Sequence, residues 1–396
     1  MGGTEILRLV PHEGTLYAAT STVWDAPGTD PALGAQILAL DHPEGPWRVE
    51  HEFPVSQWRA TLGSVRFSTD GRGRPLAAPV SLLLAAPVNP EGHAEVWSRD
   101  ADGRWASMRL ASGAAKVGIR SLHLYRDQVT GVDRVFAGCL PYGIWSGVYE
   151  PAAPGLIRWD REPELSGFQS RPMAFAECAG ALYAAIKPHL YRRIDGERSQ
   201  PRWRSAYVYA TDTEVAMNSS GLRGLTPSLA PAGPGEVLLA ALEGARCRIV
   251  RIAPEDDHRE EVDLDVLSFL RQQWGGPLTY AIAAYDDMVP VRDPASGEEL
   301  LVIGLGASRG PLGVRHPREG WEPGGFYLLR RRDGSYRLRQ IVDPELDPMP
   351  PLVAVRTCAL SPFDGETLFF GGYDPNAMPA HHTAWIFSAP AGVALR

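Results

Sequence analysis

Five arginines each open a short, largely apolar run: Val65-Arg66-Phe67, Ile119-Arg120-Ser121, Ser170-Arg171-Pro172, Leu222-Arg223-Gly224 and Val355-Arg356-Thr357. A guanidinium group matches carboxylate and phosphate through paired hydrogen bonds, so several converging on one place would hold an anion. The other reading is that Arg66, Arg120, Arg171, Arg223 and Arg356 bond to acids or carbonyls of neighbouring units and fasten the fold. His381-His382 offers an acid or base near neutral pH. Adjacent residues of a strand point to opposite faces, so only one of the pair would face a given site. Glu177 and Asp374 are acidic candidates for the same proton transfer. Trp24, Tyr142 and Trp145 could wall a partly apolar or aromatic substrate. His123, His189, His316 and His381 lie in separate stretches, and a metal site needs such ligands to converge. Metal-independent proton transfer is the favoured reading. No cofactor is expected, and a divalent metal is left open.

The elements that must position these groups come from a recurring phrase, one large residue followed by small ones. It reads Tyr17-Ala18-Ala19, Leu84-Ala85-Ala86, Phe136-Ala137-Gly138, Tyr183-Ala184-Ala185, Leu239-Ala240-Ala241, Ile303-Gly304-Leu305 and Phe370-Gly371-Gly372, at intervals of 67, 52, 47, 56, 64 and 67 residues. Units of that length, built of short strands and turns, resemble the blades of the β-propeller superfamily. The phrase is neither the WD dipeptide nor the paired-glycine pattern of kelch blades, so those families' partners do not transfer.

The resemblance implies an all-β fold: one β-propeller domain over residues 1–396, with seven four-stranded blades. The approximate blades are 1–55, 56–113, 114–166, 167–218, 219–276, 277–346 and 347–396. Six or eight blades remain the alternative count. Blade 4 is read as strands at Met173–Cys178, Ala181–Ile186, Leu190–Ile194 and Arg202–Tyr207. Blade 3 is read with its third strand at Leu156–Trp159, and the last strand of blade 7 as Gly392–Arg396 or absent. Val266, Leu267, Phe269, Leu270 and Trp274 have helical spacing, which predicts a short helix at 266–274.

Strand direction alternates within a blade. The start of the first strand, the end of the second and the start of the third therefore share one face of the disc. The five arginines are assigned to the starts of inner strands, which places them around one mouth of a central channel. Loops of unequal length in blades 1, 3, 6 and 7 would surround it. Such variation on a rigid frame favours a single asymmetric site.

The formal net charge of −8 counts against nonspecific nucleic-acid binding. No apolar run reaches membrane-spanning length. The start lacks the pattern of a secretory signal, which leads to a cytoplasmic expectation. Cys139, Cys178, Cys247 and Cys358 fall in four different repeats, without the close pairing of a zinc site or disulfide framework. The functional expectation is an enzyme of lyase, cyclase, isomerase or hydrolase type. It would act on a small, anionic, partly apolar substrate at the arginine mouth. The alternatives are a scaffold for a protein or peptide partner, and a lectin-like binder of sugars.

Overall fold

A computed structural model describes residues 3–22, 34–113, 118–168, 170–196, 202–208, 221–229, 235–254, 256–311, 319–377 and 383–396. The chain is a β-propeller of seven blades. Blade 1 holds β1 (Glu5–His12), β2 (Thr15–Ser21), β3 (Gln36–Leu40) and β4 (Arg48–Glu52). Blade 2 holds β5 (Ala60–Thr69), β6 (Pro75–Pro87), β7 (His93–Arg99) and β8 (Trp105–Ser112). Blade 3 holds β9 (Gly118–Arg126), β10 (Asp133–Leu140), β11 (Gly143–Tyr149) and β12 (Ile157–Trp159). Blade 4 holds β13 (Pro172–Cys178), β14 (Ala181–Ile186), β15 (His189–Ile194) and β16 (Arg202–Val208). Blade 5 holds β17 (Leu222–Leu229), β18 (Glu236–Leu242), β19 (Arg248–Ala253) and β20 (Arg259–Asp265). Blade 6 holds β21 (Tyr280–Arg292), β22 (Glu299–Ser308), β23 (Phe326–Arg331) and β24 (Tyr336–Gln340). Blade 7 holds β25 (Ala354–Leu360), β26 (Thr367–Tyr373) and β27 (Trp385–Pro390).

The first strands form the inner ring. β1, β5, β9, β13, β17, β21 and β25 each touch the next, and β25 returns to β1. Each blade is antiparallel, and a pairing of Glu5 with Tyr373 joins blade 1 to blade 7. Blade 7 does not receive a fourth strand at Gly392–Arg396. Its chain ends in a short helix, Ala391–Ala394, whose Ala391 and Ala394 bury beside Tyr327 and Phe370. The third strand of blade 3 is β11, and the segment read as that strand is the fourth, β12.

The recurring phrase has a packing cause. Its residues lie on the second strands and are buried, Tyr17, Ala18, Ala19, Leu84, Phe136 and Leu239 among them. Small residues are needed where the next blade's inner strand leans in. A Cβ on Gly304 would sit 2.5 Å from the Val355 carbonyl oxygen, and one on Gly371 would sit 2.7 Å from Ile6 Cγ2. Close packing leaves no room for either.

Helix α1 (Val266–Trp274) occupies the predicted span between blades 5 and 6. Asp265 caps it by accepting a hydrogen bond from Ser268 N at 2.8 Å, which satisfies one of the helix's unpaired donors. Val266, Leu267 and Leu270 face the core.

Ion pairs join neighbouring blades further out. Arg99 Nε reaches Glu50 of blade 1 at 2.6 Å, and Arg330 Nε reaches Asp263 of blade 5 at 2.6 Å. Arg193, almost wholly buried, binds Asp127 at 2.8 Å, Glu164 at 3.0 Å and also Asp195. These arginines lie in the last two positions of the third strands of blades 2, 4 and 6 and each reaches an acid of the blade before.

Candidate functional site

The two ends of the channel differ. At the end where inner strands begin, Glu5 is fully buried and ion-paired to Arg59 of blade 2 and to Arg356 of blade 7, the latter at 3.0 Å. Burial alone would raise the Glu5 pKa. Arg356, then Arg59 and Arg120, override that and hold it at about 2. In blade 5, Arg223 is paired with buried Glu243. Arg120, Arg223 and Arg356 all sit where the ladder slips. Ser121 and Ile119 pair with successive residues of β10, which leaves Arg120 as the extra residue of a bulge. Arg356 is skipped in the same way between Val355 and Thr357, and Arg223 falls between Leu222 and Leu225. A bulge re-aims the side chain it carries.

Tyrosines pack beside these charges. Tyr285 is fully buried, its hydroxyl 3.2 Å from that of Tyr373, and the Arg356 guanidinium lies 5.2 Å from its ring centre. Burial raises the pKa of both phenols, that of Tyr373 to about 12. Tyr280 and Trp321 stack edge-on at 6.1 Å. The Asn376 side chain accepts from Trp321 N at 2.9 Å and donates to Trp321 O at 2.8 Å, which ties blade 6 to blade 7.

Not every sequence-selected residue joins this cluster. Arg171 precedes β13 and is exposed. Arg66 does not begin an inner strand: β5 begins at Ala60, so Arg59 takes that place, and Arg66 lies near the far end of β5. Glu177 is half exposed and lies 3.2 Å from His123 Nε2 across blades 3 and 4. His189 Nδ1 lies 2.8 Å from Ser205 Oγ. Tyr142 donates to the Gly92 carbonyl at 3.1 Å, a bond between blades 3 and 2. Trp145 lies on β11 rather than in a loop, and is buried in the core between those blades. Asp374 accepts a hydrogen bond from Asn376 N at 2.9 Å. Trp24, His316, His381 and His382 lie outside the described residues. Among the described residues no three His, Cys, Asp or Glu side chains gather as a metal site.

Arg66 points to the other end. There the tip of blade 1 and the long β5–β6 hairpin of blade 2 bound a cleft of about 690 Å³. Ser64 and Arg66 are exposed, whereas Val65 and Phe67 are buried, so the alternation of β5 turns both polar side chains to the same face. Arg66 lines the cleft with His12, Tyr17, Arg48 and Arg99 and with the acids Glu13, Asp41, Asp100 and Asp102. Arg48 is held by Asp41 at 2.8 Å and by Glu50, and Arg99 by Glu50. Arg66 has no ion pair among the described residues. Sequence reasoning did not single out Arg59, Glu5, Glu243 or this cleft.

No family model matches the chain, and no curated protein matches it. Among solved structures it is similar to the BP39L lectin from Burkholderia pseudomallei, at 11% identity and a TM-score of 0.57, over 99% of this chain and 97% of that one. It is also similar to the extracellular domain of BT4673 from B. thetaiotaomicron, at 9% identity and a TM-score of 0.53. That match covers 97% of this chain but only 38% of the other. No helix among the described residues is long and apolar enough to cross a membrane. What the chain shares with these proteins is the fold: it belongs with the β-propellers.

Proposed function

We propose that this β-propeller binds a small anionic molecule in the cleft between blades 1 and 2, with Arg66 as the anchor for its carboxylate or phosphate. One observation carries the reading. Arg66 is an exposed cation without an ion pair among the described residues, in a cleft whose other arginines are neutralised by Asp41 and Glu50. A cleft of about 690 Å³ lies in the usual size range of small-molecule sites. The buried arginines at the opposite mouth serve the ring, because Glu5 joins blades 7, 1 and 2 there.

The likeness to a lectin makes acidic sugars the first class to test. Titration calorimetry with uronic acids, sialic acid and sugar phosphates is expected to give saturable binding. Neutral sugars of the same size should bind more weakly. Arg66→Ala should weaken the anion at least ten-fold, with the folded state intact. Equal binding of neutral and acidic sugars, or an Arg66→Ala variant that binds as well as the parent, would remove the anchor from this reading.

A further inference from the structure

We propose that Ser64 and His12, the latter in the wall of this cleft, form a nucleophile–base pair beside it that hydrolyses esters of small anionic acids. His12 ends β1 and lines the cleft, and its Nδ1 lies 2.9 Å from Ser64 Oγ on the inner strand of blade 2. That distance is the reach a base needs to take a hydroxyl proton. Ser64 is exposed to solvent, and Arg66 stands two positions along on the same face of β5. A substrate whose anion rests on Arg66 would therefore bring its acyl group toward Ser64. The choice of an anionic acid rests on the Arg66 reading above, while the reactivity of Ser64 is tested independently of it.

His12 is buried, and burial lowers its pKa; Glu13 opposes the shift and Arg99 adds to it. Burial thus favours the neutral imidazole, the state in which it accepts a proton. With the ring proton on Nε2, Nδ1 takes the hydroxyl proton as Ser64 Oγ bonds to the ester carbon. The alkoxide leaves as its C–O bond breaks and collects that proton from His12. Water, deprotonated by the same nitrogen, then releases the acid and restores Ser64. Nothing is oxidised or reduced. A hydrogen bond that only tied β1 to β5 would leave Ser64 as unreactive as any surface serine.

The test treats the whole chain with a fluorophosphonate probe and maps the adduct by peptide mass spectrometry. Hydrolysis of p-nitrophenyl acetate and of the p-nitrophenyl monoester of succinic acid is followed alongside. The expected result is one adduct on Ser64, absent in Ser64→Ala and at least ten-fold slower in His12→Gln. Circular dichroism confirms that both variants fold. Arg66→Ala should raise KM for the succinate monoester about ten-fold more than it raises KM for the acetate. A parent protein that gives no Ser64 adduct, or a His12→Gln variant that reacts as fast as the parent, overturns the pair. A Ser64 adduct with no preference for the anionic ester keeps the pair and overturns Arg66 as anchor.

Discussion

Glu5 Oε2 lies 3.0 Å from Arg356 Nη1, so the first inner strand of the ring is bound to the last blade by a buried ion pair. Among the described residues blade 7 has three strands, and its strand pairing with blade 1 is the single register Glu5–Tyr373. Closure at this seam therefore leans on side chains, with Arg59 carrying the tie on to blade 2. Removing one partner of a buried pair typically costs about 3–5 kcal/mol, because the other charge is left unpaired. Glu5→Gln is expected to lose stability of that order. The effect should depend on pH. The folded-state pKa of Glu5 is depressed from 4.5 to about 2, so its contribution is complete above about pH 4.5 and is lost as pH falls through about 2. Urea melts of parent and variant should differ most at neutral pH and converge in acid. Parallel curves at every pH would show that Glu5 does not close the ring.

Gly304 tests the packing origin of the recurring phrase. A methyl group there would meet a backbone oxygen of blade 7, which cannot rotate away as a side-chain tip can. Gly304→Ala should cost about 1–3 kcal/mol, the usual range for overpacking. Gly14 is a different case, since a Cβ there meets nothing within 4 Å and any cost comes from its φ of +79°. Thermal melts of Gly304→Ala that match the parent would mean the blades can part at this seam without penalty.

The residues that could be read from sequence are those whose role is local. The second strands announce themselves because small residues are forced on them by the neighbouring blade, and α1 because Val266, Leu267 and Leu270 repeat at helical spacing. Arg66 is misleading because Val65-Arg66-Phe67 looks like Val355-Arg356-Thr357, while the β5–β6 hairpin runs longer and moves the strand start back to Ala60. Glu5 is invisible for another reason. A single acid near the start of the chain has no pattern, and Arg356, its partner, lies near the other end. The His12–Ser64 pair likewise bridges two blades, which spacing along one strand cannot reveal.

Arg193 offers a contrast with the cleft. It is 2% exposed and holds Asp127, Glu164 and Asp195 around one guanidinium. Arg193→Met would leave three carboxylates facing one another with no cation between them. A loss of about 3–5 kcal/mol is expected, with a sharp fall in thermal midpoint. High salt should recover little of it, since buried charges are poorly screened. A variant within about 0.5 kcal/mol of the parent, the usual range for surface changes, would refute this role.

Arg66 should behave in the opposite way. It is exposed and has no ion pair among the described residues, so Arg66→Ala should leave stability within about 0.5 kcal/mol of the parent. Binding is where the change should appear. Without the guanidinium the cleft has no charge-assisted hydrogen bond to offer at this position, so Arg66→Ala should hold an anion more weakly. The parent's affinity should fall as salt screens the exposed charge. Arg66→Lys keeps the charge but not the paired hydrogen bonds, so it should bind between parent and Arg66→Ala. Calorimetry at low and moderate ionic strength reads all three proteins together. If Arg66→Ala instead unfolds early and binds normally, Arg66 belongs to the frame of blade 2 and the cleft holds its ligand by other groups.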